Sequence, residues 1–441
     1  MQNQKVVGIL LKFKNILSNG VIMEVDEENL EPIIEKLRNK QDWLHNLEIG
    51  DILDFIDKLG EFWKEEFGKN NNFNSNIEYV CNFLKKENLS RDLTISLRGN
   101  YKVLDEFVSM IGDKKFVYHA QPRGLAVHWI AGNVDILGIF SIVQSLITKN
   151  VCLVKVPHNY DTLKKLIHSM CKVSTEKISG NEFIKCISLV YIERNDMKNQ
   201  QTLSDSADIR IAWGGKEAID TIVGLKKKFH TEDIIYGPKY SYAIIDEDSI
   251  NNTSKRIPEK LALDISTFDQ YACNSPHTIF VQSKNKEIVK QFAKDLASSM
   301  DITNRVLLPK QPVSEKKAME ILTLRTEYEM KGDVYASKNT DWTVLYSEEE
   351  NFAEPCFSRV VFVRPITDIK KISAKHNKKI QTIGLAIDDF ELRKKIADQI
   401  SIKGGDRCPT IGNMSHFNPV WDGMFGMDRM VRWVTTYSDE T

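Results

Sequence analysis

Two rhythms of apolar and polar positions run along this chain. In DILDFIDKLGEFWKEEF (51–67), Ile52, Phe55, Ile56, Leu59, Phe62 and Trp63 recur at steps of three and four. That spacing predicts one apolar face of a helix. NIEYVCNFLKKEN (76–88) predicts a second helix with Cys81 on or near its apolar face, and GKNNNFNSN (68–76) between them reads as a polar loop. From about residue 117 the rhythm changes. Short apolar runs, GLAVHWIA (124–131), VCLVKV (151–156), CISLVYIE (186–193), IRIAWGG (209–215) and YAIIDE (242–247), predict strands. DILGIFSIVQSLITKN, YDTLKKLIHSMCKVS and KEAIDTIVGLKKKF between them predict helices.

Strand–helix alternation with apolar strands implies parallel βαβ units in a doubly wound α/β sheet. Such sheets bind ligands beyond the carboxyl ends of their strands. The residues to examine are therefore Asn133, Lys155, Gly214, Gly215 and Gly237. A second α/β unit begins after about residue 250, with TIFVQ, NKEIVKQFAKDLASSM, TDWTVLYS, RVVFVRP, QTIGLAI and a closing WDGMFGMDRMVRWV. The polar stretch DSINNTSKRIPEK places the boundary near 255–262.

Composition narrows the class. A chain of 441 residues is too long for one ordinary core and implies two or three domains. A net charge of -1 gives no basic excess for nucleic acid or an acidic membrane. The seven cysteines are odd in number, widely spaced and without a CxxC. They argue against a disulfide framework or structural zinc, and for a reducing, cytoplasmic setting. The opening MQNQKVVGILLKFKN has an apolar run too short for a signal peptide. The most apolar region, about 125–154, is broken by His128, Asn133, Asp135, Gln144 and Lys149, so no membrane span is expected.

Four features carry candidate chemistry, each with a plainer alternative. Trp213-Gly214-Gly215-Lys216 ends a strand and opens a helix, where adjacent glycines let backbone N–H groups approach a pyrophosphate. It lacks the GxGxxG spacing, and a tight turn without ligand is the alternative. Lys155 closes VCLVKV before Pro157 and could meet a cofactor ribose or phosphate; the alternative is a solvated edge lysine. Asn133 sits in a strand-to-helix turn, where its amide NH₂ can serve an oxyanion or its carbonyl oxygen can cap the helix. Cys273, in FDQYACNSPH (268–277), is one free cysteine among seven, and most such cysteines are buried and inert. Its small and turn-forming neighbours Ala272, Asn274, Ser275 and Pro276 set it apart. A turn there exposes the sulfur and offers its own backbone N–H to an oxyanion.

Taken in order, PRGLAVHWIAGNV (122–134), LITKNVCLVKVP (146–157), IAWGGKEAI (211–219), IIYGPKYSYAIID (234–246), DISTFDQYACNSP (264–276), QTIGL (381–385) and WDGMFGMDRMVRW (421–433) resemble the acyl-CoA reductase (LuxC) branch of the aldehyde dehydrogenase superfamily. The resemblance runs from about residue 117 to the end. It implies two doubly wound α/β domains with an active site between them: a mostly helical segment 1–110 packing on a nicotinamide cofactor domain 111–258, then a catalytic domain 259–441. It implies Cys273 as nucleophile and Asn133 as oxyanion-hole donor. Lys155 would contact the adenosine ribose, and Gly214 and Gly215 would lie beside the cofactor phosphates and nicotinamide. Trp213 and Gly237 frame that cofactor site, and Glu354 would correspond, out by one residue, to the glutamate on the nicotinamide ribose. Members lack GxGxxG.

Hydrolytic relatives carry a glutamate base where this chain has Ile235, in IIYGPK. An aliphatic side chain cannot act as a base. The resemblance thus implies reduction of a long-chain acyl-CoA or acyl thioester to the aldehyde, with NADPH rather than NADH, in a homo-oligomer. An acyl carrier protein or an acyl-protein synthetase is the alternative donor. A cofactor-free cysteine acyltransferase or thioesterase is the alternative from another class.

Overall fold

The computed structural model describes residues 12–68, 76–113, 115–132, 134, 137–373 and 375–438. The opening run MQNQKVVGILL and nearly all of the loop GKNNNFNSN lie outside them. Pro238–Gly423 forms one compact unit; the residues before it, with those from Met424 on, form the other.

In the first unit, β1 (Phe13–Ser18) and β2 (Val21–Glu27) form a hairpin, and β3 (Val108–Ser109) and β4 (Phe116–Pro122) belong to a small separate sheet. β5 (Leu125–Trp129), β6 (Val151–Lys155), β7 (Ile187–Tyr191), β8 (Ile209–Trp213) and β9 (Glu232–Tyr236) follow, with a helix after each of the first four. The large sheet has the order β2-β1-β7-β6-β5-β8-β9, with β5 to β9 parallel and the hairpin joined antiparallel through Lys14↔Tyr191. Helix Leu137–Ile147 is buried from Gly138 to its end, as its nearly continuous apolar sequence requires. Helix Ile49–Phe67 buries Ile52, Phe55, Ile56, Leu59 and Trp63, the expected face except Phe62.

The second unit holds β10 (Tyr240–Asp246), β11 (Pro276–Gln282), β12 (Gly332–Ala336), β13 (Thr343–Ser347), β14 (Val360–Ile366) and β15 (Ile380–Ala386). Their order is β12-β13-β14-β11-β10-β15, and only β12 is antiparallel to its neighbour. Alternate side chains of β10 feed opposite faces. Ala243 and Ile245 pack with Ile279, Val281 and Phe292, while Tyr242 and Ile244 pack with Phe280, Ile383 and Leu385.

YAIIDE thus belongs to the second sheet, not to the end of the first, and the division falls at Gly237 rather than in DSINNTSKRIPEK. The last strand, Val431–Tyr437, pairs with β4 of the first unit. Strand–helix rhythm says that a strand exists; which sheet it joins is decided by long-range pairing. No helix among the described residues is long and apolar enough to cross a membrane.

Candidate active site

Cys273 lies three residues before β11, in a turn closed by Ser275 N–H donating to Ala272 O at 3.1 Å. The approach to this turn is left-handed: Phe268, Asp269 and Gln270 have φ of 56°, 51° and 66°. Each such non-glycine residue costs about 1–2 kcal/mol, so the surroundings must hold the run in place. They do so from a second left-handed run, Phe357, Ser358 and Arg359, with φ of 57°, 59° and 62°. Arg359 Nε donates to Asp269 Oδ1 at 2.7 Å, and Val360 N–H to Gln270 Oε1 at 2.9 Å. Gln270 Nε2 in turn donates to Pro276 O at 2.8 Å. Lys310, whose pKa burial lowers to about 8, donates to Ser358 O at 2.9 Å.

The Cys273 turn is also fixed to the sheet. The Ser241 hydroxyl donates to Cys273 O at 2.7 Å and accepts from Thr382 N–H at 3.0 Å, tying the turn to β15. Asn274 Nδ2 donates to Met414 O at 3.1 Å. Met414 belongs to a loop held by buried Asp264, which accepts from Gly412 N–H at 2.6 Å and Met414 N–H at 3.2 Å. These groups gather at the amino ends of β10, β11 and β15.

Cys273 is half-buried. Burial, with the Asp422 carboxylate adding to it, pushes its thiol up to about 12. A hydrogen bond from the Gln381 side chain, the Arg407 guanidinium and the cysteine's own backbone N–H act in the opposite sense. Cys186 and Cys408 are pushed equally high by burial, with Lys40 and Arg407 respectively acting against it and Glu182 and Asp406 adding to it.

In the first unit, β6 and β7 lie on one side of β5, and β8 and β9 on the other. The order of winding therefore reverses between β5 and β8, the place where such sheets take a ligand. Lys155 ends β6 next to Trp129, the last residue of β5, and is half-buried. Burial and then Arg194 lower its pKa, against the pull of Glu193. Trp213 ends β8 with its ring stacked on Tyr236 at 3.8 Å and its indole N–H donating to Ser141 Oγ at 3.2 Å. Gly215 caps helix Lys216–Gly224 and faces open space where a Cβ would stand; Gly237 follows β9 and is also open on that side. The cradle and the half-buried cation suit a nicotinamide dinucleotide, with an anion at the helix end. Asn133 lies outside the described residues.

Ile235 is half-buried on β9. Both neighbouring acids are engaged. Glu232 meets Arg123 at 3.4 Å and accepts from Arg429 Nε at 2.7 Å. Asp233 takes both Arg210 Nε, at 2.6 Å, and Lys227 Nζ, at 2.8 Å. Glu354 is exposed, on the loop before β14 in the second unit. Phe357 on that loop stacks on Tyr271 at 5.8 Å and meets the His277 ring at 4.9 Å, so the loop borders the Cys273 turn.

The attention to carboxyl ends of strands passed over Ser241, Gln381, Arg407 and Asp422. The signal for two of them was present in QTIGL and WDGMFGMDRMVRW, which carried the family resemblance without a role for Gln381 or Asp422.

The fold is that of the aldehyde dehydrogenases. Aldehyde dehydrogenase C of Pseudomonas syringae, solved as a mutant with NAD+ and octanal, superposes with a TM-score of 0.66 at 11% identity, over 99% of this chain and 98% of that one. The NAD+ complex of a Bacillus cereus aldehyde dehydrogenase gives 0.64 at 13% identity over 100% of both chains. Residues 44–433 match the family model of acyl-CoA reductase (LuxC), and the chain belongs to that family. It is an oxidoreductase acting on aldehyde or acyl groups. The long-chain acyl-protein thioester reductase of Aliivibrio fischeri is 27% identical over 430 residues, 92% of this chain and 85% of that protein. Its namesake from Photobacterium phosphoreum is 25% identical over 422 residues, 89% and 81% of the two.

Proposed function

We propose that this enzyme reduces a long-chain acyl thioester to the aldehyde through an acyl group held on Cys273. The Cys273 thiol gives up its proton and its sulfur attacks the carbonyl carbon. The oxyanion is met by the Cys273 backbone N–H and the Asn133 side chain. The carbon–sulfur bond of the donor breaks, and the donor leaves as a thiol carrying a proton. A reduced nicotinamide, when bound, supplies the hydride that the acyl carbon takes up. The resulting thiohemiacetal oxyanion expels the Cys273 sulfur, so aldehyde leaves and the thiol is restored with a proton from solvent.

Lys155, Trp213, Gly214, Gly215 and Gly237 would hold the cofactor, with Glu354 on the nicotinamide ribose. NADPH is preferred to NADH because Lys155 offers a cation for the ribose end. The observation that carries the reading is the pairing of both acids beside Ile235, Glu232 with arginines and Asp233 with Arg210 and Lys227. Neither of these two is left to activate water, which favours an acyl-enzyme that waits for reduction. The names of the relatives favour a protein-held acyl donor, from an acyl carrier protein or acyl-protein synthetase, beside acyl-CoA. The free cysteines suit a cytoplasmic enzyme, and a homo-oligomer is part of the same proposal.

The test is mass spectrometry of the 268–277 peptide after mixing with acyl-CoA and no nicotinamide, followed by turnover assays with NADPH and NADH. An acyl adduct on Cys273, and no thioester-dependent NADPH oxidation by Cys273→Ala, are expected. Absence of the adduct, or turnover in the variant, overturns the covalent scheme.

A further inference from the structure

His128 is a fully buried titratable group that the scheme above does not use. It lies on β5 opposite Ile211 of β8, one residue before the end of β5 and beside the reversal of winding. Two residues beyond Ile211, Trp213 ends β8 with its indole N–H donating to Ser141 Oγ at 3.2 Å. The same hydroxyl lies 2.8 Å from His128 Nδ1. One helical turn further on, Ser145 Oγ lies 3.3 Å from His128 Nε2 and donates to the Met430 sulfur at 3.8 Å. The imidazole is clasped between two serines of helix Leu137–Ile147. These contacts fix the direction of the bonds, because a hydroxyl has one proton to give. Ser145 gives its proton to Met430, so it can only accept from His128, and Nε2 carries the ring hydrogen. Nδ1 then accepts from the Ser141 hydroxyl, whose oxygen accepts from Trp213. Burial keeps the ring neutral, lowering its pKa to about 3. Every donor in the chain meets an acceptor, as a dry interior requires.

We propose that His128 is a positioning residue for the nicotinamide site, acting through Ser141 to fix the Trp213 indole. The inference rests on Trp213 framing that site. Trp213 and Tyr236 are stacked and buried, and each directly precedes a glycine of the cradle, Gly214 or Gly237. Gly214 N–H donates to Tyr236 O at 3.2 Å, so the pair and the glycine turn are held together. Stacking alone leaves two rings free to slide, whereas a bond from the indole N–H sets their register. Left alone, a helical serine turns its hydroxyl toward the carbonyl one turn back. His128 takes that proton instead and leaves a lone pair facing Trp213. The far end of the chain is anchored too. The Met430 sulfur also accepts from Thr148 Oγ1 at 3.7 Å, and the Met430 carbonyl from Asn150 Nδ2 at 3.1 Å.

The experiment separates two half-reactions. The KM for NADPH is measured in steady-state turnover, and acylation of Cys273 by acyl-CoA is measured without nicotinamide. His128→Leu removes both ring nitrogens, and Ser141→Ala removes the link to Trp213. His128→Asn keeps an acceptor in the place of Nδ1. His128→Leu and Ser141→Ala should each raise the KM for NADPH about three- to tenfold, the range set by losing one buried hydrogen bond. Acylation should be unchanged in both. The double variant should be no worse than either single one, since the two residues act in one chain. His128→Asn should bring the KM back to within about twofold of wild type. Near-UV circular dichroism reads the indole without cofactor. The signal lost in Trp213→Phe should also fall in His128→Leu and return in His128→Asn. Thermal melts establish that each variant is folded, and if His128→Leu is not, Ser141→Ala decides. An unchanged KM in a folded variant, or an equal loss of acylation, overturns the proposal. Failure of wild-type enzyme to bind NADPH or NADH strikes the cofactor reading instead, and the near-UV signal then decides for or against His128.

Discussion

Arg359 and Asp269 form an ion pair at 2.7 Å in which both partners have left-handed backbones. Arg359 is almost wholly buried and also donates to Asn304 Oδ1 and Leu308 O. The pair locks two strained turns against each other, one leading to Cys273. Removing one partner of a buried pair costs about 3–5 kcal/mol. Arg359→Met should therefore lower stability by that order in urea denaturation. Residual folded enzyme should acylate slowly, because the turn that presents the thiol has lost its brace. A variant with wild-type stability would show that the left-handed runs hold themselves.

Asp264 makes stability depend on pH. Burial raises its pKa from 3.8 to about 7, against three backbone N–H donors. Its folded value lies above its unfolded one, so the folded state binds the proton more tightly. Its contribution is full below pH 4, declines as pH rises, and is gone above pH 7, amounting to about 4 kcal/mol at most. Asparagine does not titrate. The difference in stability between wild type and Asp264→Asn should therefore change between pH 4 and 7 and be flat above, as measured by urea denaturation across that range.

Ile235→Glu tests the account of why the acyl group is not lost to water. Wild-type enzyme given acyl-CoA without nicotinamide should release about one equivalent of CoA and stop. A carboxylate at 235 can draw a proton from water, and general bases contribute about 10²–10⁴-fold. The variant should go on releasing CoA and fatty acid. A single burst from both would show that water is excluded by something other than the missing base.

Lys155→Ala should weaken cofactor binding more than chemistry. A contact made equally in ground and transition states raises KM and leaves kcat nearly unchanged. About a tenfold rise in the KM for NADPH is expected, with a smaller thermal shift on adding NADPH. A selective fall in kcat would move Lys155 from binding to catalysis.

How much of this was legible beforehand depended on the range of the interactions. The helix over 51–67 and the buried strands of both sheets follow from local periodicity, which needs no partner. The membership of β10 and of Val431–Tyr437 did not, because each is fixed by pairing with distant segments. Cys273 stood out through its turn-forming neighbours. Gln381 did not, because a glutamine at the start of an apolar strand carries no local mark, and its partner Asp422 lies 41 positions away. The attention to carboxyl ends of strands did not reach the second sheet, where Cys273 lies before the amino end of β11.

The pairing of β4 with Val431–Tyr437 also sets a schedule. β4 leaves the ribosome about 300 residues before its partner, some 15–60 s earlier at bacterial rates of about 5–20 residues per second. Arg123, just past β4, and Asn150 wait 306 and 280 residues for the carbonyls of Arg429 and Met430. The nascent first unit therefore carries an open strand edge throughout synthesis of the second. Chains stopped before residue 431 should be held by chaperones or degraded, while those that reach Tyr437 close the edge.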